Sequence, residues 1–167
     1  MRTGAAAAIL GALALQTTLS GLVVRGTAAI DLVLIVVVYI ALKSGPVAGL
    51  LGGTAAGLLQ DALSNPVVGI GAMAKTIVGF VAGQLATHFI LTGPVPRLVL
   101  LVVSTVLHAI IFMGLCVLLD LRQFPHPVSA VLGQALGNGL VGVVAFQLIE
   151  WFPEFVDRRR ARRVFRR

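Results

Sequence analysis

The stretch Gly45-Pro46-Val47-Ala48-Gly49-Leu50-Leu51-Gly52-Gly53-Thr54-Ala55-Ala56-Gly57-Leu58-Leu59-Gln60-Asp61 carries glycine at every fourth position (45, 49, 53 and 57) and ends that series on a carboxylate. A second stripe with the same spacing follows at Gly71, Lys75, Gly79 and Gly83. In lipid no hydrophobic force drives helices together, so association depends on how closely two backbones approach, and small residues at every fourth position permit that. A charge set in such a stripe is too costly to face lipid and belongs against protein or a hydrated cavity. The stripes predict an all-α polytopic membrane protein containing one unusually tight helix pair, with Gly45, Gly49, Gly53, Gly57, Gly79 and Gly83 as its packing or partner surface.

Composition points the same way. Of 167 residues, 58% are hydrophobic and 11% charged, the latter well under the quarter usual in soluble domains. Mean hydropathy is +1.03. The length allows one compact bundle and no sizeable soluble domain. A net charge of +7 would suggest nucleic acid in a soluble protein, but seven of the thirteen basic residues lie in the last ten positions, and aromatic content is 6%. With no stacking platform, nucleic-acid binding is excluded. The tail reads as a topology anchor that meets anionic lipid headgroups.

Hydropathy divides the chain into six spans at 4–24, 28–42, 45–60, 67–91, 98–119 and 128–152, forming a bundle over 1–157 with a basic tail over 158–167. Only Lys43 and Ser44 separate the second and third, which form a tight hairpin or one bent unit, so five spans is the alternative count. Pro66, Pro94, Pro96, Pro125 and Pro127 punctuate the joins. Six spans place Arg2, Lys43, Arg97 and the seven tail arginines on one side, ten against Arg25 and Arg122 on the other. That imbalance predicts both termini in the cytoplasm. Arg2, the alanine-rich core and Ala12-Leu13-Ala14 also fit a cleaved signal peptide. The first segment is long enough to remain as a span, and that reading is adopted.

Chemistry-bearing motifs are few. The chain has no Gly-x-Ser-x-Gly elbow, no His-Glu-x-x-His and no phosphate-cradling glycine loop. Cys116 is the single cysteine, so no intramolecular disulfide or cysteine-based metal site is available. No catalytic, cofactor-binding or metal-binding role is assigned. His88, His108 and His126 fall in separate places, and His108 lies mid-span, where Asn138 of the last span could reach it. Gln134, Asn138 and Gly142 line one face at four-residue spacing. His108, Gln134 and Asn138 read as interhelical hydrogen-bonding groups, or else as the wall of a small polar cavity for a solute. Asp61 and Lys75, joined by a short turn, are expected to form an interhelical ion pair; a proton relay would need more carboxylates.

The run Asp31-Leu32-Val33-Leu34-Ile35-Val36-Val37-Val38-Tyr39-Ile40-Ala41-Leu42, then Gly45-Pro46, Gly49-Leu50-Leu51-Gly52-Gly53, Gly57-Leu58-Leu59-Gln60-Asp61 and Gly69-x-Gly71, closely resembles the rod-shape-determining MreD family. The resemblance covers about residues 31–86, and its most specific part is the glycine ladder running into Gly-Leu-Leu-x-Asp. Ile30 stands where family members often carry proline, and Ile40 where an aromatic often follows the tyrosine. The resemblance implies a non-enzymatic protein of the bacterial inner membrane. It would bind the bitopic scaffold MreC and, through it, a penicillin-binding transpeptidase and an elongation glycosyltransferase, coordinating peptidoglycan synthesis for rod shape. It also implies a fold similar to the substrate-binding subunits of energy-coupling-factor transporters. The rival reading is therefore a small-solute, vitamin-type binding subunit. Brief external loops poor in hydrogen-bonding side chains favour the scaffold.

Overall fold

A computed structural model describes residues 3–20, 30–64, 67–89, 93–121 and 127–164. The described residues form six α-helices: α1 (Thr3–Ser20), α2 (Leu32–Ser44), α3 (Pro46–Ser64), α4 (Ile70–His88), α5 (Pro94–Leu118) and α6 (Pro127–Val164). The all-helical expectation holds. Among the described residues, three helices are long and apolar enough to cross a membrane: α4, α5 and the Val128–Ile149 part of α6. The apolar stretches Ala5–Thr18 and Leu32–Ser44 are shorter.

The shortness of α2 has a packing explanation. Its 13 residues rise about 20 Å, against a hydrocarbon core of about 30 Å. All five other helices touch α2, and Val33, Leu34, Ile35, Val37, Val38, Ile40 and Ala41 are buried. A helix walled by protein need not match the thickness of the lipid. Its leucine, isoleucine and valine run is apolar on every side because every side meets a neighbour. One cluster joins Leu34, Ile35, Val38 and Ala41 to Val78 and Ala82 of α4, Leu100 and Leu101 of α5, and Phe146 of α6. A second joins Val33, Val37 and Ile40 to Ile9, Ala12 and Leu13 of α1 and Ala56 of α3.

The helix boundaries differ from the hydropathy reading for local reasons. Lys43 and Ser44 belong to α2, and the break falls at Gly45, whose φ of +86° is a conformation that favours glycine. Three helices begin on proline, at Pro46, Pro94 and Pro127, where the missing N–H would have no intrahelical partner anyway. Of the prolines expected to sit between spans, Pro94 and Pro127 therefore start helices and Pro96 lies in the first turn of α5. Pro66 and Pro125 lie outside the described residues. Asp61 lies within α3 rather than closing it, because the helix continues to Ser64. The last helix continues to Val164, so the start of the expected tail is helical. Arg2, Arg25, Arg122, His126, Arg166 and Arg167 lie outside the described residues.

The glycine stripes fall at the α3–α4 seam. A Cβ built on Gly49 would strike the carbonyl oxygen of Gly79, and one on Gly79 the carbonyl oxygen of Gly49. Cβ atoms on Gly53, Gly57 and Gly83 would strike the Lys75 carbonyl oxygen, the Ala72 Cα and the Pro46 Cα, each within the 3.0 Å that real Cβ contacts keep. These pairings run antiparallel, from Pro46 opposite Gly83 to Gly57 opposite Ala72. Gly45 differs: a Cβ there would meet nothing within 4 Å. Its contribution is the turn conformation, which lets Gly83 approach the backbone at Gly45 and Pro46. Across the same seam the hydroxyls of Thr54 and Thr76 lie 2.8 Å apart.

Candidate functional site: a buried polar junction

The seam brings the start of α4 level with the start of α2 and the end of α3. There the ammonium of Lys75 lies 2.7 Å from Asp31 Oδ2, the two side chains being 4% and 6% exposed. Asp31 is the N-cap of α2, its Oδ1 accepting from the Leu34 N–H at 2.9 Å. One carboxylate thus closes a helix end with one oxygen and holds a cation with the other. Capping satisfies a donor that the first turn cannot satisfy itself. A further donor of that turn, the Val33 N–H, is accepted by Gln16 Oε1 of α1 at 3.2 Å.

Two more helices complete the junction. His108 of α5 places Nε2 3.2 Å from Lys75 Nζ, and its ring stacks on Phe112 with centroids 5.9 Å apart. Asn138 of α6, fully buried, accepts the Asp31 backbone N–H at 2.8 Å and donates from Nδ2 to Thr105 Oγ1 at 3.1 Å. Thr105 in turn donates to the Leu101 carbonyl at 2.8 Å. In a low-dielectric interior such a network holds only if its members satisfy one another. Here α2, α4, α5 and α6 are tied at one point by charge-assisted and neutral hydrogen bonds.

Asp61 occupies the adjoining end of the seam. Its Oδ2 accepts the N–H groups of Gly69 and Ala72 at 2.9 and 3.0 Å. A carboxylate at a helix N-terminus meets unsatisfied donors and the positive end of the helix dipole. A Cβ on Gly71 would collide with Asp61 Oδ1, so glycine there leaves room for the carboxylate.

Among the residues singled out from sequence, Lys75, His108 and Asn138 converge on one cluster. There Lys75 takes Asp31 as its ion-pair partner in place of the expected Asp61, which sits beside the start of α4. Gln134 is half-buried one turn before Asn138. Asn138 takes the Asp31 N–H and the Thr105 hydroxyl, one turn from His108, as its partners in place of the imidazole. His88 is exposed, its Nδ1 2.8 Å from the Gln84 carbonyl oxygen, and Cys116 is buried in α5. Sequence reasoning missed Asp31 as a site residue and did not consider Thr105 or Gln16. The signal for Asp31 was available: an aspartate directly before an apolar helical run is an N-cap pattern. Among the described residues no group of three or more His, Cys, Asp or Glu side chains is placed to hold a metal ion.

Comparison with known proteins adds one finding. The family model described as rod shape-determining protein MreD matches residues 7–156, which include the seam and every residue of the polar junction. No curated protein matches the chain. No solved structure matches it either.

Proposed function

The chain belongs to the MreD family of rod shape-determining proteins, and from that membership we propose that it is a non-enzymatic scaffold of the bacterial cell-elongation machinery. The family is one of shape-determining membrane proteins, and a role in rod shape determination follows from it. In the finer reading, the helix bundle sits in the cytoplasmic membrane with both termini inside. There it binds an MreC-type bitopic partner and, through it, a penicillin-binding transpeptidase and an elongation glycosyltransferase. The arginine-rich tail meets anionic lipid, and the fold is akin to the substrate-binding subunits of energy-coupling-factor transporters.

The observation that carries the reading is the family match over residues 7–156. The interior is consistent with it. Asp31, Lys75, Thr105 and Asn138, from α2, α4, α5 and α6, are held within one network. Such a network suits a rigid platform for partner helices better than a pocket with several polar groups converging on a solute. The test is purification from membranes in mild detergent together with depletion in rod-shaped cells. Recovery of an MreC-type partner and rounding of depleted cells are expected. Cells that stay rod-shaped after complete loss, with uptake of a small solute impaired, would favour a transport role instead.

A further inference from the structure

The junction contains one group whose chemistry is incomplete. Lys75 is held as an ammonium by Asp31 at 2.7 Å, and an ammonium only donates. The imidazole nitrogen 3.2 Å from it, His108 Nε2, must therefore be the acceptor. A neutral imidazole accepts at one nitrogen and carries its proton on the other. The proton of His108 consequently sits on Nδ1. Among the described residues that Nδ1 is buried with no hydrogen-bond partner, in a residue 7% exposed. Each ring nitrogen faces its own direction, so the N–H cannot turn back into the cluster without breaking the Lys75 contact.

A buried N–H that lost water and gained nothing is disfavoured, and such groups in folded proteins are normally met by water or another acceptor. We propose that His108 Nδ1–H is the donor of a binding site for a neutral oxygen acceptor, inside the bundle at the level of the Asp31–Lys75 pair. The occupant is an uncharged oxygen because the charged groups around the ring already have partners: Asp31 faces Lys75, and the Asp61 carboxylate is held by the N–H groups of Gly69 and Ala72. A further anion would meet those two carboxylates, and a cation offers no acceptor to an N–H. Water and the ester carbonyl of a lipid share this chemistry. The site extends the Asp31–Lys75–His108 chain by one hydrogen bond and makes the polar junction a place where an acceptor is received within the membrane protein.

Solid-state NMR of the full chain, labelled with 15N-histidine in lipid bilayers, tests this. The expected result is a neutral His108 with its proton on Nδ1 and its lone pair on Nε2. Water-edited transfer should reach Nδ1 several-fold faster than the buried amide of Val38, or transfer should reach it from lipid 13C-carbonyl. The first identifies water as the occupant and the second identifies lipid. His108→Gln should remove the resonance and assign it; if that variant does not fold, His88→Asn and His126→Asn assign it by elimination. A proton found on Nε2, or an Nδ1–H with contact to neither water nor lipid carbonyl, overturns the proposal.

Discussion

Removing one member of the Asp31–Lys75 pair strands the other in the interior, and the cost should be large. The side chains are 4% and 6% exposed and the charges 2.7 Å apart, a geometry in which loss of one partner costs about 3–5 kcal/mol. Asp31→Asn is the informative change because it keeps an Oδ1 for the Leu34 N–H. Loss of the cap, about 1 kcal/mol, is then separated from loss of charge. Lys75→Met removes the cation and retains most of the volume. Each single variant should lose about 3–5 kcal/mol. The double variant should lose less than their sum by about 2–3 kcal/mol, near the upper end for contacting residues. Equilibrium unfolding in mixed detergent and SDS micelles measures all four corners of the cycle. Losses that add within about 0.5 kcal/mol would show that the two residues are energetically independent, refuting the pairing. A parallel cycle of Asp61→Asn with Lys75→Met tests the pair expected from sequence. A larger coupling there than for Asp31 would move the centre of the junction to the α3–α4 turn.

Gly53→Ala and Gly57→Ala should each lose about 1–3 kcal/mol through overpacking, since their Cβ atoms would strike backbone atoms of Lys75 and Ala72; Gly114→Ala, in open space, is the control, and equal stability of all three would place the seam elsewhere. Gly45→Ala should lose about 1–3 kcal/mol with no clash, because φ is +86° and nothing lies within 4 Å of the new Cβ; an unchanged melting temperature counts against the turn conformation. Asn138→Leu leaves the Asp31 N–H without its acceptor and should cost about 1–3 kcal/mol. Thr105→Val leaves the Asp31 N–H its acceptor and removes only the hydroxyl that accepts from Asn138 Nδ2, and should cost less. The reverse order in thermal unfolding would deny Asn138 its central place.

Fourfold glycine spacing, apolar content and one ionisable residue per stripe were enough to identify helices and a close pair. Those properties depend on local spacing and solvent exclusion, which a sequence displays directly. Cβ atoms on Gly49, Gly53, Gly57, Gly79 and Gly83, named from that pattern, would strike backbone atoms of the facing helix. Lys75, His108 and Asn138 were visible as polar groups in apolar runs because such groups are costly there and need partners. Which partners they take was not visible. Asp31 and Asn138 are 107 positions apart, and Lys75 and His108 are 33 apart; periodicity within a helix carries no information over such separations. Only packing α2 at the centre of the bundle brings its N-cap to Lys75. The same burial accounts for an apolar helix of only 13 residues, whereas hydropathy counts every apolar run as though it met lipid. Sequence alone determined that Lys75, His108 and Asn138 must be hidden, because that follows from their chemistry in apolar runs. The tertiary structure decided what they are hidden against, because that follows from how helices distant in sequence share one interior.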